Sequence, residues 1–153
     1  MNPFTTKRTS TADKDFQSLV ALLDHELWNE LKEDQAKYDQ FNKVPDIKTA
    51  IIIYENEEPV AIGCFKEWNA ETIEIKRMFV KKEYRGRGLS KQVLQQLEKW
   101  AFEFEYCYSV LETSIHFTAA KKLYATYGYS IIANYPPYAG LDESVCMKKE
   151  LIQ

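Results

Sequence analysis

A chain of 153 residues has the size of one ordinary domain with room for a sizeable core. Its apolar share of 45% and charged share of 28% are those of a soluble globular protein. A formal charge of -3 and a pI near 5.5 deny the whole chain the footprint of a nucleic-acid binder, and leave room only for local basic clusters. The three cysteines (Cys64, Cys107, Cys146) are odd in number, scattered and without a CxxC pair. A disulfide framework and a zinc site are therefore not expected, and a reducing compartment fits. No apolar run approaches the ~20 residues of a membrane span, and no signal-peptide core follows Met1. The expectation is a cytoplasmic protein without a membrane or nucleic-acid partner.

In chain order, Phe4 to Thr9 reads as a short first strand. Ser10 or Thr11 is placed to cap a helix, with Asp13 and Asp15 near its positive end. Phe16, Leu19, Val20, Leu23, Leu27, Trp28 and Leu31 recur at helical spacing, and Pro45 ends whatever helix continues beyond them. The period then changes. Ala50 to Tyr54, Val60 to Phe65 and Thr72 to Val80 are strand-like runs separated by polar turns, which predicts an antiparallel meander.

After a loop over Lys81 to Gly88, the stripe Leu89, Val93, Leu94, Leu97, Trp100, Ala101 and Phe104 predicts an amphipathic helix, with Glu98 on the polar side. Tyr108 to Glu112 reads as a buried strand. Ala119, Ala120, Leu123, Tyr124 and Tyr127 form another helix that Gly128 stops. Tyr129 to Ile132 and Val145 to Lys149 supply two last strands. With no linker, repeat or low-complexity tract, residues 1–153 read as a single α/β domain whose mixed sheet carries helices on both faces.

The segment Val80-Lys81-Lys82-Glu83-Tyr84-Arg85-Gly86-Arg87-Gly88-Leu89-Ser90 holds the most chemistry. A strand enters a glycine-containing turn that opens a helix, and a helix N-terminus favours phosphate oxygens through its free N–H groups and dipole. Lys81, Lys82, Arg85 and Arg87 add positive charge. No GxxxxGK[ST] loop is present, and Gly86-x-Gly88 lacks the third glycine of a dinucleotide fingerprint. Spacing alone leaves two readings, an anion cradle or a tight loop with a solvated basic rim.

Arg85-Gly86-Arg87-Gly88-Leu89-Ser90 resembles the Arg/Gln-x-x-Gly-x-Gly/Ala motif of the GNAT acyltransferases. The strand Glu74 to Val80 before it and Leu123-Tyr124-x-x-x-Gly128-Tyr129 after it are similar to that family as well, in order and spacing over roughly residues 50 to 132. The resemblance implies a GNAT-like fold with a mixed, mostly antiparallel central sheet, and acetyl-CoA as acyl-donor co-substrate. It implies that Arg85, Gly86, Arg87, Gly88, Leu89 and Ser90 take the pyrophosphate, and that Met78, Phe79 and Val80 run beside the pantetheine arm at a bulge. Tyr124 would donate to the departing sulfur. Glu74 would take a proton from an amine of a small molecule or peptide. Two departures stand out: Ser90 replaces the usual Gly or Ala, and no Asn precedes the tyrosine helix near Phe117.

Each role has a plainer counterpart. Glu74 also reads as a solvent-facing strand residue, with Glu112 as a second candidate base, and Tyr124 as a core aromatic. Neither Cys64 nor Cys107 has a histidine near it in sequence, which argues against a cysteine nucleophile. The loop Asn134-Tyr135-Pro136-Pro137-Tyr138-Ala139-Gly140 is either a wall for the acceptor or a rigid connection, with Trp28, Tyr38 and Phe41 as the opposite wall. Net charge mildly favours a cationic acceptor. The alternative to catalysis is an acyl-CoA sensor or partner-binding module on the same fold. Edge strands leave a homodimer open.

Overall fold

The computed structural model describes the backbone of residues 3–31 and 46–152 and the side chains of residues 3–27 and 46–152. Among them, seven strands, β1 (Phe4–Thr9), β2 (Ala50–Glu55), β3 (Glu58–Asn69), β4 (Thr72–Val80), β5 (Tyr108–Ser114), β6 (Ser130–Ile132) and β7 (Ser144–Glu150), form one sheet in the order β1-β2-β3-β4-β5-β7-β6. Three helices flank it: α1 (Lys14–Leu31), α2 (Leu89–Glu103) and α3 (Thr118–Thr126). β1–β2, β2–β3, β5–β7 and β6–β7 pair antiparallel, while β4 and β5 pair parallel. The GNAT-like mixed sheet expected from the sequence is therefore present.

The chain divides into two compact units, residues 1–66 with 76–97, and residues 67–75 with 98–153. In the first, α1 begins one turn later than Ser10 or Thr11 would place it, because Asp13 takes the capping role. Its Oδ1 accepts from the Asp15 N–H at 2.9 Å while Oδ2 accepts from Lys7 Nζ and Thr9 Oγ1. Thr11 is used elsewhere: its Oγ1 accepts from the Ile47 N–H at 2.8 Å. Phe16 and Leu19 of α1 are buried with Ala50, Ile52, Ile62, Cys64 and Phe79, each of the two contributing roughly 1.5–3 kcal/mol of transfer free energy. α2 lies close on β3. A Cβ on Gly63 would stand 2.6 Å from Val93 Cγ1, so only glycine admits the helix at this distance.

In the second unit β5 runs between β4 and β7, and its core includes Ile73, Val110, Leu111, Tyr124, Tyr129, Tyr138 and Met147. Two expectations for α2 change here. Phe104 falls past the helix end and is exposed. Glu98 turns inward, with Oε1 accepting from Lys149 Nζ at 2.7 Å and Oε2 from the Tyr129 hydroxyl at 2.9 Å, and Ser109 Oγ lies 2.8 Å from that hydroxyl. A carboxylate so held by two donors is stable off the solvent face. Gly128, at φ +98°, ends α3 as expected.

Candidate active site

β4 carries the transition on which the site depends. Its parallel pairing with β5 runs from Thr72↔Tyr108 to Glu74↔Val110, although both strands continue further. Three residues later Arg77 adopts φ +60°, a left-handed conformation that a non-glycine residue in a strand rarely takes. An irregularity of this kind bends a strand and costs on the order of 1–3 kcal/mol, which the surroundings must offset. Part of the offset is visible: Arg77 Nη1 lies 2.7 Å from Asp24 Oδ1 of α1. Beyond the irregularity come Met78, half-buried, then Phe79 and Val80, both buried.

The chain leaves β4 through a single turn of 3-10 helix at Lys82–Tyr84 and enters α2 at Leu89. The Gly88 carbonyl accepts from the Gln92 N–H at 3.1 Å, so Gly88 is the N-cap and the first-turn amides begin at Leu89 and Ser90. Leu89 is buried and anchors the turn, Ser90 is half-buried, and Arg85 to Gly88 are exposed. Gly86 and Gly88 lie at φ +83° and +77°, and a Cβ on either would meet no protein atom within 4 Å. A helix N-terminus behind an open, left-handed glycine turn is a fit for pyrophosphate oxygens.

The loop's cations are engaged with carboxylates that the sequence reading left out. Arg85 Nη2 donates to both Glu26 oxygens at 2.8 Å and its Nε donates to the Val80 carbonyl at 3.0 Å. Arg87 Nη1 lies 3.6 Å from Glu55, with its guanidinium over the Tyr84 ring, and Lys81 Nζ lies 3.3 Å from Glu58. Lys82 is exposed. Partners so far apart in the chain leave no local spacing signal.

In the second unit Glu74 is 2% exposed, which rules out the solvent-facing alternative. Tyr135 donates its hydroxyl to Glu74 Oε2 at 2.8 Å. The Tyr135 ring packs on Trp68 at 4.7 Å between centroids, and edge-on to Tyr138 at 5.6 Å. Glu112, the second candidate base, accepts from Ser144 Oγ at 2.8 Å. Burial pushes the Cys146 thiol up to about 11, so it stays protonated and a poor nucleophile. His116 faces the Glu143 carboxylate at 3.5 Å.

Tyr124 lies on α3, 8% exposed, its ring edge-on to Tyr129 at 5.9 Å. Among the described residues its hydroxyl has no hydrogen-bond partner, and burial pushes the phenol up to about 12. Buried hydroxyls are nearly always partnered, so this one has donor capacity to offer. The α3 N-cap, Phe117, supplies no side-chain hydrogen bond, consistent with the missing Asn noted in the sequence. Of the proposed opposite wall, the Trp28 side chain, Tyr38 and Phe41 lie outside the described residues.

The chain is similar to known acetyltransferases in sequence and fold. An N-acetyltransferase of Bacillus subtilis, YsnE, itself uncharacterized, is 32% identical over 100 residues, which are 64% of this chain and 66% of that one. A Klebsiella pneumoniae structure named for acyl-CoA N-acyl transfer is 28% identical, with a TM-score of 0.81, over 99% of this chain and 100% of that one. An Elizabethkingia anophelis acetyltransferase with acetyl-CoA bound shares the fold at a TM-score of 0.69 and 19% identity, over 99% and 100% of the two chains. Residues 14–129 match the model of the acetyltransferase (GNAT) family, and with it the chain is placed as a member of that family.

Proposed function

We propose that this chain moves the acetyl group of acetyl-CoA to a primary amine of a small molecule or peptide by direct attack, as one acyltransferase domain. The observation that carries the reading is the buried Tyr124 hydroxyl, open among the described residues on the helix where the family places its thiol-protonating tyrosine. The glycine turn and the first amides of α2, with Arg85, Arg87 and Ser90, hold the pyrophosphate. Met78, Phe79 and Val80 pass beside the pantetheine arm after the Arg77 irregularity.

In the reaction, Glu74 takes a proton from the acceptor ammonium, directly or through water. The nitrogen lone pair then forms the C–N bond as the C–S bond breaks, and Tyr124 stabilises the departing sulfur by donating a hydrogen bond. The surplus proton on nitrogen passes, directly or through water, to the thiolate to give the amide and CoA thiol. Magnitudes define the last role. With the phenol at about 12 and a free thiol at about 8.5, complete proton transfer runs uphill by roughly 5 kcal/mol. Tyr124 therefore works first as a hydrogen-bond donor to developing thiolate charge. The low polarity that raises the phenol also raises the thiol, which narrows the gap.

The test is release of CoA thiol from acetyl-CoA across a panel of primary amines, with native protein and with Tyr124→Phe. We expect amine-dependent release that falls about 10²-fold or more in the variant while acetyl-CoA affinity holds. Undiminished release would remove Tyr124 from the mechanism. Acetyl-CoA binding without release to any amine would assign the chain to the acyl-CoA sensors.

A further inference from the structure

Resting on the reading of Glu74 as the base, we infer that Tyr135 is its positioning residue, a phenol clamped so that its hydroxyl fixes the buried carboxylate through Oε2.

The clamp is built from the loop that joins β6 to β7. Asn134 Nδ2 reaches the carbonyls of Tyr138, Leu141 and Ser144 at 3.4, 3.1 and 3.0 Å. The N–H groups of Tyr138, Leu141 and Ser144 turn back on the carbonyls of Tyr135, Tyr138 and Leu141 at 2.7–3.0 Å. Tyr135 leaves this knot with its ring against Trp68 and Tyr138 and its hydroxyl 2.8 Å from Glu74 Oε2. An ionised carboxylate only accepts, so the phenol is the donor. Burial first, and then the Glu74 charge, hold the Tyr135 phenol far above its ordinary range, so it remains a donor at every working pH.

Other groups lie within reach of the same charge. Tyr138, from the same loop, and Cys146, from β7, each feel the charges of both Glu74 and Glu112 of β5, and Lys76 follows two residues along β4. A hydrogen bond to the charged form favours it. Loss of the donor therefore disfavours the charged form, which is the form that accepts an amine proton.

The test needs no known acceptor. The Glu74 carboxyl carbon is followed by NMR in protein labelled with 13C-glutamate, its signal assigned by its loss in Glu74→Gln. Tyr135→Phe keeps the ring on Trp68 and Tyr138, and we expect it to move the Glu74 midpoint upward by about one pH unit. Replacing tyrosine by 3-fluorotyrosine, a stronger donor, is expected to move it downward, and decides the matter where Tyr135→Phe does not fold. A midpoint unmoved by the substitution that can be measured overturns the role of Tyr135. Full thiol release by Glu74→Gln, with the midpoint still coupled to Tyr135, overturns instead the reading of Glu74 as base.

Discussion

Gly88 sits at φ +77° where the chain turns from loop to helix, and the space its missing side chain leaves is open. Both properties are needed for a phosphate to approach the amides of Leu89 and Ser90. A valine there is disfavoured twice, since β-branched residues resist positive φ and its methyl groups would occupy the space of the anion. Gly88→Val should therefore weaken acetyl-CoA binding by at least tenfold in a calorimetric titration, while binding retained at native strength would move the pyrophosphate elsewhere. Tyr124 sets a limit of another kind. Its phenol is raised to about 12 by burial, so the neutral donor persists below that pH. Any alkaline fall in rate near pH 8 or 9 must come from a different group.

Elements show what spacing could and could not convey. α1, β4 and α3 stand where their apolar periods put them, because burial of one face against a sheet is what creates those periods. β3 and β5 extend beyond the predicted runs, since their ends carry polar residues such as Lys66, Glu67, Thr113 and Ser114 that alternation alone reads as turn. The Asp13 cap was missed for a related reason: Ser10, Thr11 and Asp13 all qualify chemically, and the choice is made by Lys7, Thr9 and Ile47. The Arg77 irregularity had no local signal, since arginine is not a residue that favours positive φ and its partner is Asp24 on another element. That partner suggests a discriminating pair of variants. Arg77→Gly removes the ion pair but accepts the backbone, whereas Arg77→Val removes both. If the left-handed residue shapes the donor strand, Arg77→Val should lose more acetyl-CoA affinity and more stability than Arg77→Gly, the latter by about 1–2 kcal/mol. Equal losses would mean that the ion pair alone matters.

At the scale of the whole molecule, the donor half of the candidate site was legible as a pattern because it is contiguous: a strand, a glycine turn and a helix start, all within residues 74–90. The acceptor half was only partly legible. Glu74 and Tyr124 could be named from the order of motifs, but Tyr135 joins Glu74 across 61 residues, and Trp68 carried no signal at all. The balance of charge raises a related question. The chain is acidic, at -3, and an acyl-CoA is strongly anionic, so the proposed site relies on the local cations and amides near α2 rather than on net charge. Three of those cations are already paired with Glu26, Glu55 and Glu58, and a phosphate there must compete with solvent-accessible carboxylates whose pairs are each worth about 0.2–1 kcal/mol. That cost is small beside a ligand that binds only the folded chain. At about 100 times its Kd such a ligand stabilises by about 2.7 kcal/mol, or roughly 5–10 °C in Tm for a chain of this size. Acetyl-CoA and free CoA should both raise the melting temperature by that amount, and ATP and NAD should not, because the loop lacks their binding signatures. The shift should shrink in Gly88→Val and persist in Tyr124→Phe, since one change touches the anion cradle and the other only the departing sulfur. A shift with ATP or NAD alone would mean that the turn serves a nucleotide, and the roles of Glu74 and Tyr124 in acetyl transfer would fall with it.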